Sequence, residues 1–449
     1  MTALSPPQPP GFPIVGHLLH YARDPLEVPR GWARDYGDVV HLKIGPEDLY
    51  QINHPDDIEQ VLVRDFKKYR KDRMTRTLRE LLGDGLVTSE GDFWKRQRRL
   101  VNPGFHRNRI KAYAEVMVDE TRDRIDGWGD RTEFDFHDEM MRVTLHIVAA
   151  TLFGADVSKA DADTIGSSIG FFMEYHLGIA NTGIRLPEWI PTRANRRARK
   201  AMDALDEVIR RYIDIRRREG DNGSLLSMLI DAVDDEGKGM TGEQLRDEAL
   251  TLISAGHETT AVGMTMTLFL LSQHPEVEVK LHAELDRVLG DRDPTFEDLK
   301  DLPYTEQVIK ESMRLLPPVW GIGREALEDT EIGGYPIAKG SQIFVTQWTV
   351  HRDSRFFPDP EAFKPERWTP EFKKQLPNYA YFPFGGGPRI CVGKRFAMME
   401  SVLILATIAR RYALRLLPGQ TLDLMPSITI RPRGGLRFVA QRRPSQGTT

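Results

Sequence analysis

The chain contains a single cysteine, Cys391, and the residues around it limit the structure that this part of the chain can form. It lies in the glycine-rich stretch 381–393, YFPFGGGPRICVG, directly before a predicted helix that begins at Lys394. A lone cysteine is usually a small buried apolar residue, but a glycine-rich turn is an unusual place for one. A thiolate there faces the unpaired N–H groups and the positive dipole end of the helix, which both favour its charged form. The stretch therefore predicts that Cys391 binds a metal ion.

The composition excludes several other kinds of site and protein. One cysteine cannot form an intramolecular disulfide or a multi-cysteine zinc or iron–sulfur site. The formal net charge of −4 gives no overall basic field for nucleic acid. Residues 1–19 contain five prolines and no apolar signal-peptide core, and no run of about 18 apolar residues occurs. We therefore expect a cytoplasmic protein with no membrane anchor and no nucleic-acid partner.

A long helix is predicted from Thr241 to Gln273, with a capping box formed by Thr241 and Gln244. Some 32 residues span about 48 Å, enough to cross a whole domain. Its middle, 255–260 (AGHETT), contains a glycine that costs about 1 kcal/mol relative to alanine and a threonine, Thr259, that can bond to the carbonyl of Ala255. Weakness at the centre of a helix favours a functional role. The alternative is a close helix crossing that needs small residues.

Two further pairs of residues lie at helical spacing. Trp94 and Arg98 are four residues apart, so an indole N–H and a guanidinium can converge on an anion. The alternative is a solvated basic helix face. Glu311 and Arg314 lie three apart on a helix predicted from Pro303 to Leu315, a spacing that most often gives a surface salt bridge.

Short strands separated by glycine turns are predicted in three segments, about 37–55, 320–350 and 420–441. The last segment, with Ile428–Arg431 and Leu436–Ala440 around Gly434 and Gly435, indicates a hairpin. The 34 residues from His351 to Phe384 have no clear periodicity, and such long irregular segments are usually functional. The remaining residues show helical periodicity.

Four separated motifs together resemble the cytochrome P-450 family. The first is its cysteine-ligand loop, Phe384-x-x-Gly387-x-Arg389-x-Cys391-x-Gly393. The second is its oxygen-activation motif, 255–260, and the third is its Glu-x-x-Arg pair, Glu311 and Arg314. The fourth, Pro365-Glu366-Arg367-Trp368, is similar to its Pro-Glu-Arg-Phe element, with Trp in place of Phe. The order and spacing match over nearly the whole chain.

The resemblance implies a fold that is mainly α with a smaller β-rich region, in a single domain over residues 1–449. It implies haem b held non-covalently between the long central helix and the helix after the cysteine loop. Cys391 is then the proximal thiolate ligand, and Phe384 shields its sulfur. Gly387 and Gly393 let backbone N–H groups approach that sulfur. Ala255 stands where relatives with glutamate can bond covalently to haem.

The family pattern also assigns roles to charged residues. The donors to the haem propionates are four side chains: Trp94, Arg98, Arg324 and Arg389. A buried structural network joins Glu311, Arg314 and Arg367. Glu258 and Thr259 form the acid–alcohol pair that delivers protons during oxygen activation.

The implied reaction is that of a haem-thiolate monooxygenase. It activates O2 with two electrons from a separate ferredoxin or flavodoxin-type donor, because the chain has no length left for a fused reductase. It hydroxylates or epoxidises a hydrophobic small molecule of fatty acid, terpenoid, carotenoid or steroid type. Family position gives an apolar substrate lining, although the same residues can equally be core: Leu82, Leu86, Val87, Ile253, Val319, Trp320, Ile322 and Ile428.

Two other functions remain open from the sequence. One is a haem-thiolate peroxygenase or isomerase that needs no reductase, although family members that use peroxide directly tend to lack the acid–alcohol pair. The other is a non-catalytic haem sensor or electron carrier, which needs neither that pair nor a large apolar pocket.

Overall fold

The computed structural model of the protein describes residues 5–130, 132–154, 157–182, 190 and 192–444. The chain divides into two compact units. The first unit comprises Met1–Thr77, Trp128–His137 and Val262–Thr449, and the second comprises Leu78–Gly127 and Asp138–Ala261. The single domain implied by the resemblance remains a prediction.

Helices make up most of the described chain, so the expectation of a mainly α fold is confirmed. None of them combines the length and the apolar character needed to cross a membrane, within the residues described. The helices are α1 Leu18–Arg23, α2 Glu27–Tyr36, α3 Pro55–Glu59, α4 Arg73–Thr77, α5 Arg79–Leu82, α6 Gly91–Val101, α7 Arg107–Asp126, α8 Phe136–Phe153, α9 Lys159–Thr182, α10 Arg193–Glu219, α11 Leu225–Asp231, α12 Gly242–Gln273, α13 Pro275–Leu289, α14 Pro303–Leu315, α15 Gln347–Val350, α16 Pro370–Gln375 and α17 Lys394–Arg411.

The described strands all lie in the first unit. They are β1 Val39–Ile44, β2 Glu47–Ile52, β3 Tyr69–Lys71, β4 Glu133–Asp135, β5 Gly321–Ala326, β6 Thr330–Ile332, β7 Tyr335–Ile337, β8 Gln342–Thr346, β9 Tyr412–Leu416, β10 Leu424–Pro426, β11 Ile430–Pro432 and β12 Arg437–Arg442. The largest sheet has the order β1-β2-β8-β5-β3, with β2 and β8 parallel and its other neighbours antiparallel. Ile52, Ile343 and Val345 of this sheet belong to one buried core cluster, and Val40 and Leu42 of β1 belong to another.

The hairpin expected around Gly434 and Gly435 is wrong. Strand β11 pairs with β10, whereas β12 pairs with β9 and β4. The physical reason is burial: Phe438 of β12 is fully buried and packs edge-on against Phe136, with ring centres 5.5 Å apart. Folding β12 back onto β11 would give up that contact. The glycine pair, with φ of +75° at both residues, instead redirects the chain to another sheet.

The long helix α12 has the predicted start and end. The Gln244 N–H donates to Thr241 Oγ1 at 3.2 Å, and the Thr241 N–H donates to Gln244 Oε1 at 3.0 Å, which completes the capping box. The helix ends at Gln273, two residues before Pro275. Residues 242–261 belong to the second unit and 262–273 to the first.

A buried carboxylate, that of Glu311 on α14, organises the irregular segment after His351. Its Oε1 accepts from Arg314 Nη2 at 2.9 Å, Arg367 Nε at 2.8 Å and the Lys364 backbone N–H at 3.0 Å. Its Oε2 accepts from Arg314 Nε and Trp368 Nε1, both at 3.0 Å. Five donors thus offset the cost of burying this charge.

Arg314 extends this network to the backbone of the same segment. It is fully buried and donates to the carbonyl oxygens of His351 (2.9 Å), Pro360 (2.6 Å) and Ala362 (3.0 Å). Arg314 thereby holds three carbonyl groups of a segment with little regular structure of its own, in addition to the three residues of that segment that donate to Glu311. Removing one member of such a network leaves a buried charge without its partner, at a cost of about 3–5 kcal/mol.

Replacing Trp368 by Phe tests the departure from the family pattern at this position. The change keeps an aromatic ring but removes the N–H that reaches Glu311, so the free energy of unfolding should fall by about 1.5–3 kcal/mol, as for a hydrogen bond to a charged group. Urea unfolding measures this loss. Trp320→Phe is the matched control because its indole donates to a neutral carbonyl, that of Ser427 at 2.7 Å, and should cost about 0.5–1.5 kcal/mol. Equal losses in both variants would contradict the assignment.

Candidate active site

Cys391 lies at the end of a tight loop in the first unit, and its side chain is exposed. The loop is closed by a hydrogen bond from the Cys391 N–H to the Phe384 carbonyl at 3.0 Å. The Phe384 ring is half-buried, and the Lys394 ammonium lies 6.0 Å from its centre. The thiol is therefore accessible, although the backbone that carries it is fixed.

Gly387 fixes this loop by a backbone approach that no other residue permits. Its φ is +63°, and a Cβ here would lie 2.0 Å from the carbonyl oxygen of Leu62. Leu62 belongs to a short π-helical turn, Gln60–Arg64. The Gly387 N–H also donates to Tyr379 Oη at 3.1 Å. Gly393, by contrast, has a φ of −82°, which any residue can adopt.

The segment just before the loop is held by His351, a residue that the sequence analysis did not select. Its Nε2 accepts the backbone N–H of Phe382 at 3.0 Å. Burial, reinforced by the nearby Arg314 and Arg352 charges, lowers the pKa of His351 well below 6.5. The ring is therefore neutral at pH 7, as its acceptor role requires. Only the three-dimensional contact with Phe382 reveals this role.

Two of the predicted propionate donors lie in the first unit. Arg324 on β5 is buried, and its Nη1 donates to the Gly323 carbonyl at 2.7 Å. Arg389 lies in a 3-10 turn, Gly387–Arg389, and is half-buried. Guanidinium groups held in this way suit a planar carboxylate.

The predicted lining residues of the first unit come from two segments that contact each other. Trp320 is buried and donates to the carbonyl of Ser427, next to Ile428. Val319, Ile322 and Ile428 are half-buried, and Ile322 packs against the core cluster of the large sheet. The alternative assignment of core residue therefore fits Ile322 in part.

In the second unit, one side of α12 is open at the predicted oxygen-activation motif. Ala255 is exposed although it lies in the middle of a 32-residue helix. The Thr259 Oγ1 donates to the Ala255 carbonyl at 2.6 Å, as the sequence predicts. Glu258 is buried, with 2% of its surface exposed. The Thr259 hydroxyl thus lies beside a small exposed residue, whereas the side chain of the adjacent Glu258 is buried.

Another side of α12 packs tightly against α8. A Cβ at Gly256 would lie 3.1 Å from Val148 Cγ2, so the glycine permits this close crossing. His257 Nε2 donates to the Met141 carbonyl at 2.9 Å, and Thr144 Oγ1 donates to the His257 carbonyl at 2.9 Å. Both sequence interpretations of the motif therefore have support, because Gly256 lies at a helix crossing and Ala255 lies at an open face.

The other two predicted donors lie on α6 in the second unit. Trp94 is buried and Arg98 is half-buried. Neighbouring cations on this helix bind acidic residues: Arg96 Nε donates to Asp234 Oδ2 at 2.5 Å, and Arg99 pairs with Asp235. The basic residues of α6 thus fall into two groups. Arg96 and Arg99 form ion pairs, and Arg98 belongs to the pair with Trp94 that was selected from the sequence.

The predicted lining residues of the second unit are largely enclosed. Leu82, Leu86 and Ile253 are buried, and Val87 is half-buried. The backbone beside them contacts Glu248 on α12, which the sequence analysis did not select. Burial, together with the neighbouring Asp247 charge, raises the pKa of the Glu248 carboxyl to about 8.

The family is decided by comparison with known proteins. A sequence model described as Cytochrome P-450 matches residues 6–436. The chain is a cytochrome P-450. Two relatives come from Streptomyces melanosporofaciens. Cyclooctatin synthase is 38% identical over 97% of this chain and 95% of its own length, and cyclooctat-9-en-7-ol 5-monooxygenase is 38% identical over 92% and 90%. The retinoic acid bound cyanobacterial CYP120A1 structure has a TM-score of 0.87 at 26% identity, covering 99% of this chain and all of that one.

Cytochrome P-450 enzymes are haem-thiolate monooxygenases, and the described residues fit such a cofactor. The first unit offers one accessible thiol on a fixed loop, with Arg324 and Arg389 as donors for carboxylates. The second unit offers the open face at Ala255, with Thr259 beside it. No cluster of three or more potential metal-ligating side chains occurs in the described ranges.

The neutral state of His351 predicts an acid-sensitive fold. Its folded-state pKa lies below the unfolded value of about 6.5, so the unfolded chain takes up the proton first and stability falls as the pH drops below about 6.5. His351→Gln should remove this part of the pH dependence, by up to about 1.4 kcal/mol per pH unit between pH 7 and 5. Urea unfolding across that range measures it.

His282 provides the reference for this experiment. Burial lowers its pKa to about 4, so it contributes acid sensitivity of the same sign in both proteins. Only the difference between wild type and variant therefore reports His351. Parallel curves for the two proteins would show that His351 does not carry the effect.

Proposed function

We propose that this cytochrome P-450 hydroxylates or epoxidises a hydrophobic terpenoid-type molecule with O2 and two electrons from a separate protein donor. The observation that carries the proposal is the pairing of Glu258 and Thr259 beside the exposed Ala255 on the central helix. An acid and an alcohol on adjacent residues of a helix can move protons to an oxygen that is being reduced. A peroxygenase or isomerase has no need of this pair.

The cofactor assignment follows from the donor chemistry of both units. Cys391 ligates the iron of a non-covalent haem b through its thiolate, with Phe384 against the sulfur and Gly387 and Gly393 in the loop around it. Four side chains bind the haem carboxylates: Trp94, Arg98, Arg324 and Arg389. Haem, when bound, supplies the iron that activates dioxygen. Ala255 has no carboxyl group with which to form a covalent attachment.

Thr259 supplies the alcohol of the proton pathway. Its one hydroxyl proton is donated to the Ala255 carbonyl at 2.6 Å, which leaves its lone pairs as acceptors. Passing a proton onward requires that bond to open and a second proton to replace the first. The carboxyl of Glu258, the preceding residue of the helix, is the proposed source of that proton.

The terpenoid class is favoured over fatty acids by the relatives. One is named as a 5-monooxygenase of cyclooctat-9-en-7-ol, an unsaturated cyclic alcohol, and one similar structure holds retinoic acid. The proposed lining residues of both units, Leu82, Leu86, Val87 and Ile253 in one and Val319, Trp320, Ile322 and Ile428 in the other, are apolar apart from the indole N–H of Trp320. That N–H is already bound to Ser427. We therefore expect recognition by shape and apolar contact.

A ferredoxin or flavodoxin-type donor is favoured by two exposed cations, Lys394 and Arg395, in the first turn after Cys391. An acidic protein surface complements such cations and is steered by them. Arg410 and Arg411, at the other end of α17, are less suitable because both bind Asp293.

Cys391→Ser tests the ligand assignment. The alcohol is a much weaker donor than a thiolate, so the red-shifted absorption band of the reduced carbon monoxide complex should disappear. Haem content and circular dichroism show whether the protein is still folded. A band that survives the substitution in a folded protein would rule out Cys391 as the ligand.

Thr259→Ala tests proton delivery. The variant should still bind haem and consume electrons, but product per electron should fall by about tenfold or more, because water replaces a positioned hydroxyl only in part. The assay uses the terpenoid alcohol that shifts the haem spin state most strongly, with hydrogen peroxide measured as the by-product. Thr260→Ala, one residue along the same helix, is the control. Unchanged coupling in Thr259→Ala would contradict the proton-delivery role, whereas turnover with peroxide or with substrate alone, and not with a reducing partner, would favour the peroxygenase or isomerase.

A further inference from the structure

The turn formed by residues 83–88, GDGLVT, follows α5 and carries Leu86 and Val87. It is compact, because Thr88 Oγ1 donates to the Gly83 carbonyl at 2.7 Å and the Thr88 N–H donates to the Gly85 carbonyl at 3.1 Å. These internal hydrogen bonds hold the turn in one compact conformation. Its placement in the second unit therefore depends on what binds it from outside.

The carboxyl groups of two adjacent α12 residues bind the backbone of this turn. The Asp84 N–H donates to Asp247 Oδ2 at 2.8 Å, and the Leu86 N–H donates to Glu248 Oε2 at 3.0 Å. Arg246 in turn holds Asp247, with Nη1 2.9 Å from Oδ1. Alternate N–H groups of the turn thus meet successive side chains of the helix.

The two glycines of the turn permit this approach. A Cβ at Gly83, whose φ is +55°, would lie 2.2 Å from the Asp247 carboxyl group. A Cβ at Gly85 would lie 2.0 Å from Thr251 Oγ1 and 2.6 Å from the Asp247 carbonyl oxygen. The contact is therefore made by bare backbone against α12 and leaves no room for side chains at these positions.

Burying the Glu248 carboxyl to make this contact costs free energy. It is fully buried, and its Oε2 accepts the Leu86 N–H. Oε1 has no hydrogen-bond partner in the described part of the chain. A buried carboxyl satisfied on one side destabilises the fold relative to an apolar residue of the same size. Such a residue is retained for positioning more readily than for stability.

We propose that Asp247 and Glu248 are positioning residues for substrate selection, which hold the 83–88 turn and so set where Leu86 and Val87 stand. The inference rests on the proposed function, in which Leu86 and Val87 contact substrate. The two carboxyl groups bind the backbone of the turn, and Asp247 also binds Arg246. Loosening them should change which molecules bind without changing how the iron is held.

Glu248→Met and Glu248→Gln separate positioning from stability. Methionine has a similar volume but no acceptor, so the turn should lose its anchor. The Leu86 N–H then lacks its partner, but removing a buried carboxyl that is satisfied on one side only offsets this cost, so overall stability should change little. Glutamine keeps an oxygen for the Leu86 N–H and should preserve the turn. Glu243→Gln is the matched control, because Glu243 lies on the same helix and is exposed, and it pairs with Arg210.

The first measurement is hydrogen exchange by mass spectrometry on the full-length holoprotein. We expect amide protection in residues 83–88 to fall in Glu248→Met alone, with urea stability close to that of wild type. Unchanged protection there, or a loss spread over the whole chain, would overturn the proposal. This measurement needs no substrate, so it decides the positioning role even if the proposed function fails.

The second measurement is binding of a size series of terpenoid alcohols, read from the haem spin state. Affinity for the preferred member should fall about two- to tenfold in Glu248→Met, as expected for one lost hydrogen bond, and the preference for size should broaden. Glu248→Gln should restore both. Identical affinities and preferences in Glu248→Met and wild type would overturn the selection role. An unchanged carbon monoxide band shows that the iron ligand is intact.

Discussion

The position of the accessible cysteine depends on the carboxylate of Glu311, which lies far from it in the sequence. Glu311 accepts five hydrogen bonds inside the first unit, and its partner Arg314 binds three carbonyl oxygens of the irregular segment that follows His351. That segment leads directly into the cysteine loop, where Gly387 presses against Leu62. The buried charges of Glu311 and Arg314 thus hold a long segment with little regular structure in one conformation. The thiol can be exposed because contacts of the neighbouring backbone, and not of the thiol itself, fix the loop.

The sequence predicted the features that depend on neighbouring residues. The capping box at Thr241 and the proline-bounded helix from Pro303 to Leu315 follow from local chemistry, and both occur as predicted. The C-terminal hairpin failed because burial of Phe438 outweighed the turn signal at Gly434. Register and partner choice among short strands depend on distant packing that a single sequence does not display.

The same distinction applies to the candidate site. Motif spacing selected Cys391, Glu258 and Thr259, because these residues lie in patterns that a family resemblance preserves. His351 and Glu248 were missed because neither belongs to a recognisable local pattern, and each acts on a backbone N–H far away in the chain. Buried histidines and glutamates are ordinary in sequence and become informative only when their partners are known.

The way α12 holds the 83–88 turn has a consequence for how such an enzyme changes over generations. Both carboxyl groups bind main-chain N–H groups, and every residue except proline offers one. In the proposed function, a substitution at the half-buried Val87 would alter the surface offered to a ligand while leaving both anchoring bonds in place. Leu86 is buried and therefore less tolerant of change, and Gly83 and Gly85 leave no room for a side chain. The scaffold thus separates residues that can diversify from those that cannot.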